Sequence, residues 1–569
     1  MQEAYSHGER RSTQSYYESY TGGNRRKSNK GSLSSPSTFR RGMSSYSIRS
    51  RKIEAGSLSE WDMNNCSGAP MDYDSSSGTV YVDGSDGHSL LIGSTGSKKS
   101  RLVVMPTIRL LSSCGESMVA CDPKGELYRR TAGFLEKEGY AIHAINLREP
   151  TKGDGWNIFT VPYQFYLDGQ IDKACEYIND IANNLIPIMS RDPFWDYSAR
   201  DMFFGLTLLL FRICKEKQQM PVLVNMRSLL KLRSELFSST SSGKIKISAL
   251  WRFAERDDLI RIRLQGVVVC PADTMSCIIS TFDQHMTCFS LQPQMVDLLS
   301  CSTFDLKNIG FGKDAIFLIM PDEKSTYHQI ITVFLKQMYE LLIDNAQNVV
   351  DYRFPVRVNF VLDEFSSLPT IPDMPQMIAA SRSRNIRFIL AVQSKHQLWQ
   401  RYHEETNTIM SNCSNWLFLA SRETELLREL SELSGTTGSN REPLISIPQL
   451  QHLDKKAGEC LIFSGRRHPY FAHLPDIEVY DQGQYTVRPL LTRQSPSLLD
   501  GVYSSPDYFE HLVMEDHKKL APRINSDPPS QIQSLDDVDI DALIKDIDRK
   551  LAELEAMEGA DQTEDSGDL

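Results

Sequence analysis

No C-x-x-C pair occurs among the eleven cysteines, which are odd in number and scattered along the 569 residues. That spacing excludes a zinc ribbon and a disulfide framework of the kind that staples small secreted domains. H-E-x-x-H is also missing, and the twelve histidines form no ligand-spaced cluster. Long apolar runs are missing too. The longest, Met202 to Cys214, covers 13 residues, short of the ~18 that a membrane span needs. The N-terminus is polar and rich in Ser and Tyr, without the apolar centre of a signal peptide. A cationic surplus is absent: 62 Lys and Arg stand against 73 Asp and Glu. This excludes one uniformly basic nucleic-acid surface but leaves room for a local basic channel. With 40% apolar and 24% charged residues, the chain is neither wholly disordered nor fibrous. Together these absences predict a soluble, cytoplasmic protein in a reducing compartment, of roughly two to four domains.

The charges that are present are segregated. Residues 1–52 carry eleven Lys and Arg against three Glu, set among Ser, Gly and Tyr. Such a composition predicts a disordered basic arm, assigned to residues 1–75, that is either a solvated tail or a contact for phosphate. Asn525–Leu569 carries fourteen acidic residues against three basic ones. Within it Ile540, Ile544, Ile547, Leu551 and Leu554 fall at helical spacing, with Ser534 or Asp536 as cap. Residues 491–569 therefore read as an acidic tail with one short amphipathic helix.

Between the tails, short β-rich runs alternate with helical patterns. The runs are Ser89–Ile92, Met118–Cys121, Ala141–Ile145, Ala315–Met320, Val356–Leu362, Ile386–Val392, Trp416–Ala420 and Cys460–Phe463. This alternation predicts an α/β fold, a parallel sheet with right-handed crossovers and helices on both faces. Residues 162–297 break the alternation with consecutive helical patterns and read as an inserted all-α subdomain. The expected organisation is a nucleotide-binding domain in two parts, 76–161 and 298–490, with the insertion between them.

The first strand runs into Gly93-Ser94-Thr95-Gly96-Ser97-Lys98-Lys99-Ser100 and then a helix. G-x-x-x-x-G-K-[ST] wraps backbone N–H groups around phosphates at a helix N-terminus. Gly93, Lys99 and Ser100 match in register, with Lys99 for the terminal phosphates and Ser100 for Mg²⁺. Lys98 stands where the pattern has its second glycine, which predicts weaker nucleotide binding and leaves hydrolysis open. Val356–Glu364 is an apolar strand ending in Asp363-Glu364, a Walker B arrangement. Asp363 would orient the Mg²⁺ shell and Glu364 would polarise the attacking water. The next strand ends at Gln393, whose amide is suited to sensing the terminal phosphate. An arginine in Ser381–Arg387, just before that strand, is suited to reach a nucleotide on a neighbouring subunit.

The residues then resemble those of a known family, the TraG/TraD-type coupling ATPases of conjugative type IV secretion. Beyond the nucleotide motifs the resemblance rests on Asp122-Pro-Lys-Gly-Glu126, Trp156-Asn157, Thr303-Phe-Asp-Leu306, Ile319–Tyr327 and Gln393-Ser394. It covers roughly residues 79 to 480. It implies a RecA-like P-loop NTPase sheet with an all-α insertion, assembled as a homo-hexamer with ATP and Mg²⁺. Its implied task is to drive a relaxase-bound single DNA strand, with accessory proteins, to the secretion channel. By position Arg382 matches the trans-acting arginine, and Asp122, Lys124 and Glu126 look like part of the nucleotide edge. Family members carry transmembrane helices and this chain shows none. The expectation is therefore a cytoplasmic protein at the periphery of a bacterial membrane, which either a separate small protein anchors or which works as a soluble form. Two further readings are a non-hydrolysing substrate-receptor platform and the coupling of protein effectors without DNA.

Overall fold

The computed structural model describes residues 32–57, 65–216, 218, 221–237, 258–287, 289, 292–321, 323–324, 326–437, 442–465, 467–482 and 485–493. Residues 494–569, which hold the expected helix of the acidic tail, and residues 1–31 of the basic arm lie outside the described residues.

Four short strands form a small antiparallel sheet: β1 (Ser44–Ser47), β2 (Lys52–Glu54), β3 (Pro70–Asp74) and β4 (Thr79–Val82), in the order β2-β1-β4-β3. Over residues 32–57 and 65–75 this corrects the expectation of a disordered arm. Phe39, Met43, Tyr46 and Met71 are buried here in one apolar cluster with Val80 and Val82. Phe39 stacks on Tyr470 with ring centroids 4.3 Å apart. The charge is not left to solvate the segment either, since Arg40 donates to Asp72 at 2.6 Å and lies over the Tyr81 ring. The expected boundary at 75/76 falls inside the β3–β4 hairpin. Asp74 accepts from the Ser76 backbone at the start of that turn, and Gly78 takes φ +70°.

The main sheet follows: β5 (His88–Gly93), β6 (Ser117–Asp122), β7 (Ala141–Asn146), β8 (Asp314–Ile319), β9 (Val358–Leu362), β10 (Ile386–Val392) and β11 (Cys413–Ala420). After a two-strand ribbon, β12 (Thr436–Thr437) with β13 (Glu442–Pro443), come β14 (Glu459–Ser464) and β15 (Tyr470–His473). The order is β15-β14-β11-β5-β10-β9-β6-β8-β7. The seven strands from β11 to β7 are parallel, and β14 and β15 close one edge antiparallel. The α/β class expected from the alternation is thus the one the chain forms.

Successive residues of a strand face opposite ways, and both faces are covered. Leu90 and Ile92 of β5 pack into one apolar cluster and Leu91 into the other; in β6 Val119 and Cys121 oppose Met118 and Ala120. The second cluster lies under the helices Met105–Ser113 and Glu126–Lys137 and the small sheet. The first takes in the helices between β7 and β8. Among the described residues there these are Thr160–Leu167, Ile171–Leu185, Phe194–Glu216, Met226–Leu236, Leu259–Val269, Ala272–His285 and Pro293–Leu298. Residues 238–257 of the expected all-α insertion lie outside the described residues, and the described helix after them starts at Leu259 behind an Asp258 cap. Phe194–Glu216 holds the longest apolar run and is buried almost all round, as a core helix should be. Among the described residues no single helix is long and apolar enough to cross a membrane. Leu259–Val269 and Ala272–His285 reach that length and composition only together, across a 117° bend.

Candidate nucleotide site

β5, β10, β9 and β6 are neighbours in the sheet, and the loops at their carboxyl ends meet. That edge is where parallel α/β sheets bind ligands. The loop leaving β5 is anchored at once, because Ser94 N–H donates to the Ala420 carbonyl at the end of β11 at 2.8 Å. Gly93 is closely covered: a Cβ there would stand 2.5 Å from Ser97 Oγ and 3.0 Å from Lys99 Cγ, so both side chains would have to shift. Gly96 takes φ +77°. Lys98 also lies in the left-handed region, at φ +65°. The pattern's second glycine therefore has a physical reason, and the lysine here holds its strained backbone. The Asp476 carboxyl is held low, against its burial, chiefly by the Arg101 hydrogen bond, with the Lys98 ammonium a lesser contributor.

Lys99 is buried at the centre of the loop. Its Nζ donates to the Gly93 carbonyl at 2.6 Å and lies 3.7 Å from Glu364 Oε1. Burial lowers its pKa against the pull of Glu364 and Asp363. Ser100 opens the helix with one wide π-turn, Ser100–Val104, in which Met105 N–H reaches back to the Ser100 carbonyl. Pro106 follows; it has no N–H for the Leu102 carbonyl, and its ring crowds that carbonyl in a regular α-helix.

All five residues of β9 are buried, and the chain turns immediately after it. Asp363 Oδ2 accepts from Ser100 Oγ at 2.8 Å, and Oδ1 accepts from Glu364 N–H at 3.0 Å. Glu364 takes φ +52°, a strained backbone that turns its side chain toward the loop. Its Oε2 accepts from Gln393 Nε2 at 2.8 Å, and Gln393 Oε1 accepts from Thr95 Oγ1 at 3.2 Å. Three expected residues from three segments thus form one hydrogen-bonded chain, Thr95–Gln393–Glu364. Ser394 then caps the next helix, Lys395–Tyr402.

Asp122, Lys124 and Glu126 line the same small cleft as Ser100, Asp363 and Glu364. Asp122 sits beside Asp363 because β6 and β9 pair in register, Cys121 with Leu362. It is itself occupied as a cap, Oδ2 accepting from Tyr128 N–H at 2.8 Å. Burial pushes the Asp122 carboxyl up to about 6. Burial, reinforced by the Glu364 carboxylate, pushes Asp363 up to about 6 as well.

Whether the site suits a Mg-nucleotide is tested by its own atoms. Ser97 Oγ is buried without a partner, Lys99 is held on a carbonyl of its own loop, and Ser100 and Asp363 supply hard oxygen donors. This donor set fits Mg²⁺ and a polyphosphate.

Arg382 is not brought to this edge. It precedes β10 while Gln393 follows it, so the whole length of that strand separates them. Arg382 pairs with Asp86 at 2.8 Å and is half exposed. Two further features escape sequence reasoning. Arg101, one residue past the loop, forms a bidentate pair with Asp476 at 2.8 and 2.7 Å and also meets Glu478 at 2.6 Å. At the amino edge of the sheet, buried Glu116 lies between Arg387 at 3.1 Å and Arg357 at 3.8 Å, with Asn359 donating to it at 2.9 Å. Partners this far apart in sequence leave no local signal.

A family model, type IV secretory system conjugative DNA transfer, matches residues 53–446. Two proteins named conjugal transfer protein TraG, both from Escherichia coli, are each 24% identical, over 383 and 386 residues. Those matches take in 63% of this chain and 56% of each relative, so the chain spans about half the length of the curated relatives it matches. Among solved structures, the plasmid coupling protein TrwB with a non-hydrolysable ATP analogue aligns with a TM-score of 0.48 at 15% identity, over 72% of this chain and 87% of that one. TrwB with ADP and Mg²⁺ gives 0.45 at 16% identity over 72% and 87%. VirB4 of Thermoanaerobacter pseudethanolicus gives 0.40 at 14% identity, over 72% and 96%.

Proposed function

The chain belongs to the type IV secretory system conjugative DNA transfer family, and from that premise we propose that it is the ATPase that drives a relaxase-bound single DNA strand to the secretion channel. The observation that carries this is the junction of two motifs. Ser100 of the loop is bonded to Asp363, while Glu364 is bonded to Gln393 and lies beside Lys99. Bound at Ser100 and Asp363, Mg²⁺ would screen phosphate charge and act as a Lewis acid on the terminal phosphoryl group. Lys99 exchanges the Gly93 carbonyl for phosphate oxygen. Glu364 accepts the proton of the attacking water, and Gln393 holds that carboxylate in place and reports its occupancy to the helix that Ser394 caps.

Arg382 acts, on this reading, on the nucleotide of a neighbouring copy in a homo-hexamer, because its own chain keeps it at the far edge of the sheet. Relaxase, accessory proteins and channel components are the partners. The platform reading draws on one observation, the lysine held at φ +65° in the phosphate loop. Calorimetric titration with Mg-ATP, and turnover with and without single-stranded DNA, decide between them. A motor binds nucleotide, loses that binding in Lys99→Ala, and turns over faster with DNA. Wild-type binding no better than that of Lys99→Ala would leave the platform reading.

A further inference from the structure

The sulfurs of Cys66 and Cys114 lie 3.2 Å apart, closer than two non-bonded sulfurs ordinarily approach. Cys66 is in the loop before β3. Cys114 ends the helix that starts at the phosphate loop, its N–H donating to the Leu111 carbonyl at 3.2 Å. Both backbones are fixed through Glu116. The Glu116 carboxylate accepts from Ser67 N–H at 3.0 Å, and Glu116 N–H donates to the Leu111 carbonyl at 3.1 Å. On the other side of Cys66, Asn65 donates to the Pro355 carbonyl and accepts from Arg357 N–H. The two sulfurs are therefore held at each other by the fold. Cys121, Cys214, Cys413 and Cys460 are instead buried as small apolar side chains.

We propose that Cys66 and Cys114 are a reversible dithiol–disulfide site, oxidised by a small-molecule disulfide such as oxidised glutathione. Cys114 is half-buried and Cys66 is 1% exposed, which sets the order of events. The Cys114 thiolate attacks one sulfur of oxidised glutathione, and a glutathione thiolate leaves. Cys66 then attacks the Cys114 sulfur of the mixed disulfide, and the second glutathione leaves. The two cysteines give up two electrons and two protons, and one glutathione disulfide becomes two thiols. While both are thiols, the sulfur-to-sulfur hydrogen bond lowers the Cys66 pKa and raises that of Cys114; exposure, not acidity, therefore makes Cys114 the first nucleophile. The product closes residues 66–114 into one covalent loop that contains the whole phosphate loop. This inference does not depend on the motor reading.

The test incubates the full chain in glutathione buffers of increasing oxidised fraction, then quenches, digests and maps thiols by mass spectrometry, with exposed Cys277 as the reactivity control. The expected result is loss of both thiols together, a peptide cross-linking Cys66 to Cys114, reversal by dithiothreitol, and a melting midpoint about 4 °C higher in the oxidised chain. Cys66→Ser should stop at a glutathione adduct on Cys114, and Cys114→Ser should leave Cys66 unmodified. Two results would overturn the proposal. One is a wild-type chain that stops at the Cys114 adduct with Cys66 still a thiol. The other is a pair that stays reduced at ratios where Cys277 is fully modified.

Discussion

Asp363→Asn should raise the stability of the nucleotide-free protein while removing its use of Mg²⁺. The Asp363 carboxyl is buried beside Glu364 and titrates near 6, against 3.8 ordinarily. At ~1.4 kcal/mol per pH unit, that rise is worth about 3 kcal/mol of destabilisation once the group is fully ionised in the native state. The sign follows from proton counting. Between 3.8 and about 6 the native state binds more protons here than the unfolded state, so stability falls as pH rises through that window. Above it the penalty is constant; at pH 5 roughly half remains. Asparagine carries no charge, but it keeps only one of the two acceptors that Ser100 Oγ and Glu364 N–H use, which returns about 1 kcal/mol. The net gain is about 2 kcal/mol at pH 8, or about 2 °C in midpoint for a folded body of this size. Scanning calorimetry of both proteins from pH 5 to pH 8, without nucleotide, is the assay. The gap should widen with pH, and Mg²⁺ should raise the midpoint of wild type in ATP but not that of the variant. Equal midpoints across the range would refute the burial argument.

Glu364→Gln should keep nucleotide binding and lower turnover by at least ~10²-fold, the usual worth of a positioned general base; turnover that survives would remove Glu364 from that role. Lys98→Gly relieves about 1–2 kcal/mol of left-handed strain against about 0.5–1 kcal/mol of added backbone entropy. The midpoint should therefore rise slightly, and because the loop is already left-handed without ligand, ATP affinity should change less than about tenfold; calorimetry reads both. Arg382→Ala should abolish turnover alone yet regain part of it when mixed with Glu364→Gln, at interfaces with one intact half from each. Full activity of Arg382→Ala alone would move the trans-acting role to Arg384.

Much of this was legible because the signals are local. The buried strands show as apolar runs between turn residues, and β10 begins and ends at the expected residues, Ile386 and Val392. The phosphate loop shows through its spacing, and the misfit at Lys98 marks the one non-glycine φ above zero in that loop. The small sheet was not legible. Its strands are three to five residues long, set among Ser and Gly, and their burial comes from Tyr470 and Tyr480, which lie about 400 residues away. The Glu116–Arg387–Arg357 cluster was hidden for a related reason. Charges within or just before apolar strands read as interruptions until a partner some 270 residues distant completes them.

The order of strands also sets when the site can exist during synthesis. β5, which carries the phosphate loop, has β10 and β11 as its two neighbours, and both are translated roughly 300 residues after it. At about 5–20 residues per second, that is a wait of about 15–60 s. Throughout it, Leu90, Leu91 and Ile92 have no strand on either side, and the Ser67 and Ser85 carbonyls have no Arg387 to accept from. An N-terminal fragment ending before Val358 therefore exposes an apolar strand with two bare edges.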